Sequence, residues 1–282
     1  MNRLTRFLIS SVVLVVLWAA VLGSSLTAAP AATVSSPFRY WFNWTGVLNE
    51  SGNMGESSSP YWWLSSGGRL HEGNGIGATI QGSLPSKDYW RRYYANTSGV
   101  DTDGGYHPQN LFRLVSRSRW KNFRQQVYFR IRRDNLSASP NRNASNGLLL
   151  MSRYLDDKNL YYTGVRVDGY AVIKKKVRGS YYTLAYAPFF PGARYDRATN
   201  PSLLPKNVWI GLRSELTNNP DGSVRIRLYV DPSPGDWFLV FDVLDNGIAY
   251  GGSALTGAGY AGIRTDFMDV EFENYYAAII ID

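Results

Sequence analysis

An all-β, antiparallel fold is what this sequence predicts, and three observations carry the prediction. From Leu160 to Ala185 the chain reads LYYTGVRVDGYAVIKKKVRGSYYTLA, three runs rich in Tyr, Val, Ile and Thr joined at Asp168-Gly169 and Arg178-Gly179. Those residue types suit a pleated, half-buried surface. Asp168-Gly169 fits a type I′ hairpin turn, whose two central residues both need positive φ. Farther on, Val224, Ile226, Leu228 and Val230 alternate with Arg225, Arg227 and Tyr229, the pattern of one buried and one wet face. Past the first thirty residues no convincing helix separates the strands, so consecutive strands pair antiparallel.

The elements follow in order. Tyr40 to Thr45 reads as a first strand, and a Gly/Ser-rich connection from Asn49 to Pro60 leads to the aromatic cluster Tyr61 to Leu64. Gly67 to Gly82 is glycine-heavy, with short strands around Leu70, Ile76 and Ile80. Ser83 to Gln109 is the least regular stretch and reads as an aromatic loop. Regular strands resume at Asn110 to Val115, Gln125 to Ile131 and Gly147 to Tyr154. Tyr186 to Asn207 is a long insertion with four prolines, the kind of loop that lines sites. Val208 to Arg213, Ser223 to Val230, Trp237 to Val243, Tyr260 to Arg264 and Asp269 to Ile281 complete the strand set.

The N-terminus is set apart. Arg3 and Arg6 precede the apolar run Phe7 to Leu22, and small residues offer cleavage sites after Ala29 or Ala31. Residues 1–31 therefore read as a secretory signal peptide, with an uncleaved membrane anchor as the alternative. Residues 32–282 read as a single β-sandwich domain that is secreted or otherwise extracytoplasmic. There is no cysteine, which removes disulfides, thiolate catalysis and Cys-based metal sites. The formal charge is +8, and without Arg3 and Arg6 there remain 28 basic against 22 acidic residues. An exported basic protein meets anionic glycans or lipid headgroups. No nucleic-acid-binding module is visible, so nucleic acid is not expected as a partner.

The residues KNLYYTGVR, the DG turn, KKK and GSYYTLA, followed by VWIGLR, NPDGSVRIRLYVD and GYAGIRTDFMDVEFEN, resemble the concanavalin A-like lectin and glucanase superfamily. The laminin G-like and 3-keto-disaccharide hydrolase-like branches are the nearest in pattern. The resemblance covers Lys158 to Ala185, Val208 to Asp231 and Gly259 to Asn274. It implies a two-sheet jelly-roll sandwich with a concave, carbohydrate-facing sheet. That superfamily spans lectins, hydrolases and lyases, so the fold leaves the activity open.

Three constellations could carry chemistry. Asp269, Glu271 and Glu273 alternate along DVEFE, and in a strand that spacing projects carboxylates from one face. Retaining glycosidases need two carboxyls about 5 Å apart, and glucanases of the superfamily carry a related Glu-x-Asp-x-Glu strand. The order here differs and the motif is C-terminal, so the competing reading is a solvated face. Calcium would find oxygen ligands in turns at Asp101 and Asp103 or at Asp156 and Asp157, although no cofactor is required. The third constellation is aromatic. Sugar rings stack their C–H faces on Trp and Tyr while polar side chains bind the hydroxyls. Trp62, Trp63, Trp90, Tyr93, Tyr94 and Tyr195 are candidates for such a platform, joined by Arg153, Tyr162 and Arg166 on the central sheet. The leading expectation is an exported lectin-like module for a polysaccharide, with an anionic polymer among the candidates. A glycoside hydrolase or lyase of the same fold is the rival, and a cell-surface adhesion module the third reading.

Overall fold

The computed structural model describes residues 27–281; the signal-peptide expectation falls almost wholly outside them. Sixteen strands form, in chain order β1 (Phe38–Tyr40), β2 (Gly46–Asn49), β3 (Trp62–Ser66), β4 (Arg69–Gly73), β5 (Ile76–Ala78), β6 (Leu111–Trp120), β7 (Phe123–Asp134), β8 (Gly147–Asp156), β9 (Asn159–Arg166), β10 (Tyr170–Val177), β11 (Ser180–Pro188), β12 (Trp209–Asn218), β13 (Val224–Asp231), β14 (Phe238–Asp245), β15 (Gly259–Asp266) and β16 (Met268–Ile279). They build two antiparallel sheets. One runs β14-β13-β12-β7-β16-β5-β4-β2, with β1 also on β16; the other runs β11-β10-β9-β8-β15-β6-β3. This is the two-sheet antiparallel sandwich the sequence predicts.

Period-two alternation explains the core. Val127, Phe129 and Ile131 of β7, Leu212 and Leu216 of β12, Ile226 and Leu228 of β13 and Val270 and Phe272 of β16 are all fully buried on the inner face of the first sheet. They meet Leu148 and Leu150 of β8, Tyr161 and Val165 of β9 and Ile263 of β15 from the second. Phe272 stacks on Phe112 with ring centroids 5.4 Å apart and meets Phe129 edge-on at 5.7 Å.

Three expectations are corrected. The Asp168-Gly169 hairpin is not type I′: only Gly169 has positive φ (+82°), and its N–H donates to Arg166 O at 2.9 Å. The connection is a three-residue loop, in which a type I turn is followed by a left-handed glycine. The two-residue turn with both φ positive is Arg178-Gly179 (+52° and +87°). The first strand also differs, because Trp41 to Thr45 leave the sheet between β1 and β2.

The third correction is a helix. The stretch expected to be a loop contains α1 (Tyr89–Thr97), started by Asp88, whose carboxylate accepts the Trp90 N–H at 2.8 Å. Trp90 and Tyr94, one turn apart, pack on Ile80 and Leu84. Tyr94 donates its hydroxyl to Glu50 at 2.6 Å and accepts the Gly67 N–H at 2.7 Å, which fixes the helix to the strand edge.

Candidate functional site

The outer face of the seven-stranded sheet holds the candidate site. Strand register sets it out in two rows. Lys174, Tyr162, Met151, Gly262, Val115 and Trp63 are successive partners across β10, β9, β8, β15, β6 and β3. Val172, Gly164, Leu149, Arg264 and Arg113 form the next. A Cβ on Gly164 would run into the Leu148 carbonyl of β8, so only glycine lets these strands pair so closely here. The apolar members close into a small second cluster, with Leu149, Met151, Tyr162 and Val172 buried on this outer side.

Over that floor lies a cleft of about 450 Å³, walled by Tyr162, Lys174, Tyr181, Arg264 and Asp266 and rimmed by Asp101, Asn141, Asn143, Ser145 and Asn146. Arg264 is its pivot. Its Nε donates to Asp266 Oδ1 at 2.9 Å and its Nη1 to the Tyr162 hydroxyl at 2.9 Å. Burial opposes the charge, yet Asp266, Tyr162 and Tyr181 hold the guanidinium firmly protonated. Tyr181 lies half exposed at the mouth, its ring stacked on Tyr162 at 6.2 Å, with Lys176 Nζ 4.8 Å from its centroid. Burial raises the Tyr181 hydroxyl, but Arg264 and Lys176 together outweigh that and draw it below the ordinary tyrosine range. Lys174 forms no ion pair or hydrogen bond among the described residues. Burial, reinforced by the nearby Arg166 charge, lowers its ammonium.

The acids of the cleft are occupied. Asp266 is held by Arg264, and Asp101 accepts from Ser139 Oγ and from Asn141 Nδ2 at 2.9 Å. An available ammonium, a guanidinium anchored by Asp266 and Tyr162 and an exposed tyrosine ring together fit a ligand that has an apolar face and an anionic group.

The structure separates the residues singled out in the sequence. Tyr162 is in the cleft, and Trp63 shares its face farther along, half-buried with its Nε1 donating to Ser51 O at 3.0 Å. Arg166 stands beside the cleft, committed to Asp168 at 2.7 Å and Ala144 O at 3.0 Å. Trp62 is a core residue, packed edge-on against Tyr275 at 4.7 Å, and cannot stack on a sugar. Trp90 and Tyr94 are spent on holding α1, while Tyr93 is exposed on that helix away from the cleft. Tyr195, within the long insertion, packs half-buried against the core. Arg153 is fully buried at a bulge in β8 with φ +50°, donating to Leu255 O at 2.6 Å and to Lys121 O at 2.9 Å. Burial lowers its guanidinium to about 10.

The three carboxylates are on the other sheet. A register shift after Asp269 turns it inward, where it accepts from Gly82 N and Gln109 Nε2, both at 2.8 Å, from Asn135 Nδ2 at 3.0 Å, and pairs with Arg133 at 3.1 Å. Glu271 is bound by Arg130 at 2.7 Å. Glu273, whose carboxyl is raised by burial, follows on the same outer face. Asp269 thus clamps a loop, and the Asp-x-Glu-x-Glu alternation does not survive as three carboxylates on one face. The turn aspartates are likewise engaged: Asp103 accepts from Ser137 at 2.6 Å and is 2.8 Å from His107 Nδ1, and Asp156 accepts from Lys158 N at 2.8 Å and from Asn159. Asp157 is exposed beside it. Among the described residues no group of three or more His, Asp or Glu side chains could hold a metal ion.

Sequence reasoning missed Lys174, Tyr181 and Arg264. The signal for Lys174 was present in KKK, since strand alternation sends Lys174 and Lys176 to one face and Lys175 to the other.

No family model and no curated protein matches this chain. Among solved structures it is similar to carbohydrate-binding module CBM66 from Bacillus subtilis, with 14% identity over 77% of this chain and 94% of that one, TM-score 0.45. It is also similar to a β-1,3-1,4-glucanase from a mouse hindgut metagenome, with 9% identity over 88% and 100%, TM-score 0.45. A galectin-like protein of unknown function from Bacillus subtilis matches at 11% identity over 77% and 88%, TM-score 0.42. These are likenesses of fold, and no activity is taken from them.

Proposed function

We propose that this is an exported, lectin-like protein whose cleft on the seven-stranded sheet binds an anionic polysaccharide. The observation that carries the reading is Lys174, without a partner among the described residues, sharing the cleft with the anchored Arg264 and the exposed ring of Tyr181. A uronate or sulfated sugar would stack its C–H face on Tyr181 and place its anion between Lys174 and Arg264. Asn141, Asn143 and Asn146 would take its hydroxyls. Native affinity electrophoresis through gels holding neutral or acidic polysaccharides tests this. Retardation by an acidic polymer that Lys174→Ala and Tyr181→Ala abolish supports the reading; retardation unchanged in both variants rejects it.

A lyase is the second reading, favoured by the lowered Tyr181 hydroxyl between Arg264 and Lys176. It would show as loss of the polymer around the retarded band and new unsaturated ends, both absent in Tyr181→Phe.

A further inference from the structure

The opposite edge of the sandwich carries a second surface unlike the cleft. Trp41 and Trp44, in the segment that leaves the sheet between β1 and β2, are 50% and 56% exposed, and Tyr61 lies across from them at 36%. Together with Pro60 they wall a groove of about 480 Å³. Arg39 and Trp41 also belong to an adjoining groove of about 490 Å³ that contains Arg124 and Arg213. Among the described residues neither groove has an acidic residue in its lining. A wet indole ridge flanked by arginines, with Glu215 the nearest carboxylate acting on Arg213, has the composition of a contact for the membrane interface.

The path of the chain says what faces this ridge. Ala29 N donates to Ser57 O and Ala32 N to Pro60 O, both at 2.9 Å. Arg117 Nη1 donates to Ala29 O at 2.7 Å and to Ser59 O at 2.6 Å. The N-terminal segment therefore joins the domain at the rim of the aromatic groove. Cleavage after Ala29 or Ala31 would cut inside this bonded stretch. Upstream, the twenty residues from Phe7 to Leu26 carry no charge, and Arg3 and Arg6 precede them. That length suits a membrane span, and the arginines orient it with the folded domain outside. Between Leu26 and Ala29 the chain can extend by only about 10 Å, so a bilayer holding that stretch lies within reach of Trp41 and Trp44.

We propose that the protein keeps its N-terminal segment and seats the Trp41/Trp44/Tyr61 ridge, with Arg39, Arg124 and Arg213 beside it, on an anionic lipid surface. Apolar ring edges enter the headgroup layer while the guanidinium groups meet lipid phosphates. The cleft would then be presented from a tethered domain.

The absence of cysteine makes the test direct. Full-length Trp44→Cys, labelled with a polarity-sensitive dye and reconstituted in phosphatidylglycerol vesicles, is compared with Leu244→Cys on the distant edge strand β14. The expected result is a label at position 44 that loses at least half its accessibility to an aqueous quencher, the label at 244 remaining open. In phosphatidylcholine vesicles the protection at 44 should fall. Equal exposure at 44 and 244, or protection of position 44 only when a polysaccharide is added, overturns the proposal. An intact mass from the native host that begins at Pro30 or Ala32, with the protein free in the medium, overturns it as well.

Discussion

Arg264 reaches across β8 to donate to the hydroxyl of Tyr162 at 2.9 Å, although the two belong to strands that are not neighbours. The bond spans the floor of the cleft and, with Asp266 on the other side, fixes the guanidinium plane. Arg264→Lys keeps the charge beside Asp266 and loses the fork. The variant should fold and lose about tenfold or more in affinity for an acidic polymer, since a charged hydrogen bond contributes about 1.5–3 kcal/mol. Titration calorimetry beside a melting curve separates that from unfolding.

Lys175 and Asp245 form a buried ion pair, with Nζ 2.8 Å from Oδ1 and both side chains inaccessible to solvent. Tyr161 donates to the same carboxylate at 2.6 Å and Gly252 O accepts from the ammonium at 2.6 Å, so the connection after β14 is pinned to β9 and β10. Lys175→Met strands a buried carboxylate and should cost about 3–5 kcal/mol. Lys174→Met, one residue earlier, should change stability by less than about 1 kcal/mol. Urea unfolding of the two variants tests the contrast.

Glu72 is buried, accepts the Tyr40 hydroxyl at 2.7 Å, and has its carboxyl raised by burial to about 7. The folded state thus holds a proton that the unfolded chain, with an ordinary carboxyl near 4.5, releases. Stability is full below that lower value and falls as pH rises from it through about 7. Glu72→Gln should remove this decline, gaining up to about 3 kcal/mol at pH 8 and nothing at pH 4. Melting curves of both proteins across that range decide it.

Asp101 and Asp103 tie the loop after α1 to Ser137, Ser139 and Asn141 through direct hydrogen bonds. Polymer binding and melting temperature should therefore be the same in calcium and in chelator. A calcium-dependent rise in either would show that these turns bind the ion.

The sheet order was legible where chemistry is local. The Tyr- and Val-rich runs around Asp168-Gly169 and Arg178-Gly179 mark β9 to β11 because their turns need particular backbone angles. The helix α1 was not, because YWRRYYANT is aromatic enough to read as loop or strand. Its signal is the Asp88 cap and the Trp90–Tyr94 spacing. Trp62 and Trp63 are adjacent, yet one enters the core and the other the outer face, a distinction that only register supplies. The partners of Lys175 and Arg264 could not be read at all: Asp245 is 70 residues from the first and Tyr162 is 102 from the second.

In the proposed complex Lys174 and Arg264 read the anion of the sugar. Calorimetric titration of the protein with a soluble polyuronate and with the same polymer methyl-esterified, at neutral and at alkaline pH, checks this. Binding to the free acid only, weakening as pH rises through the lowered range of Lys174, is the predicted result. Equal affinity for acid and ester, unaffected by pH, would contradict it.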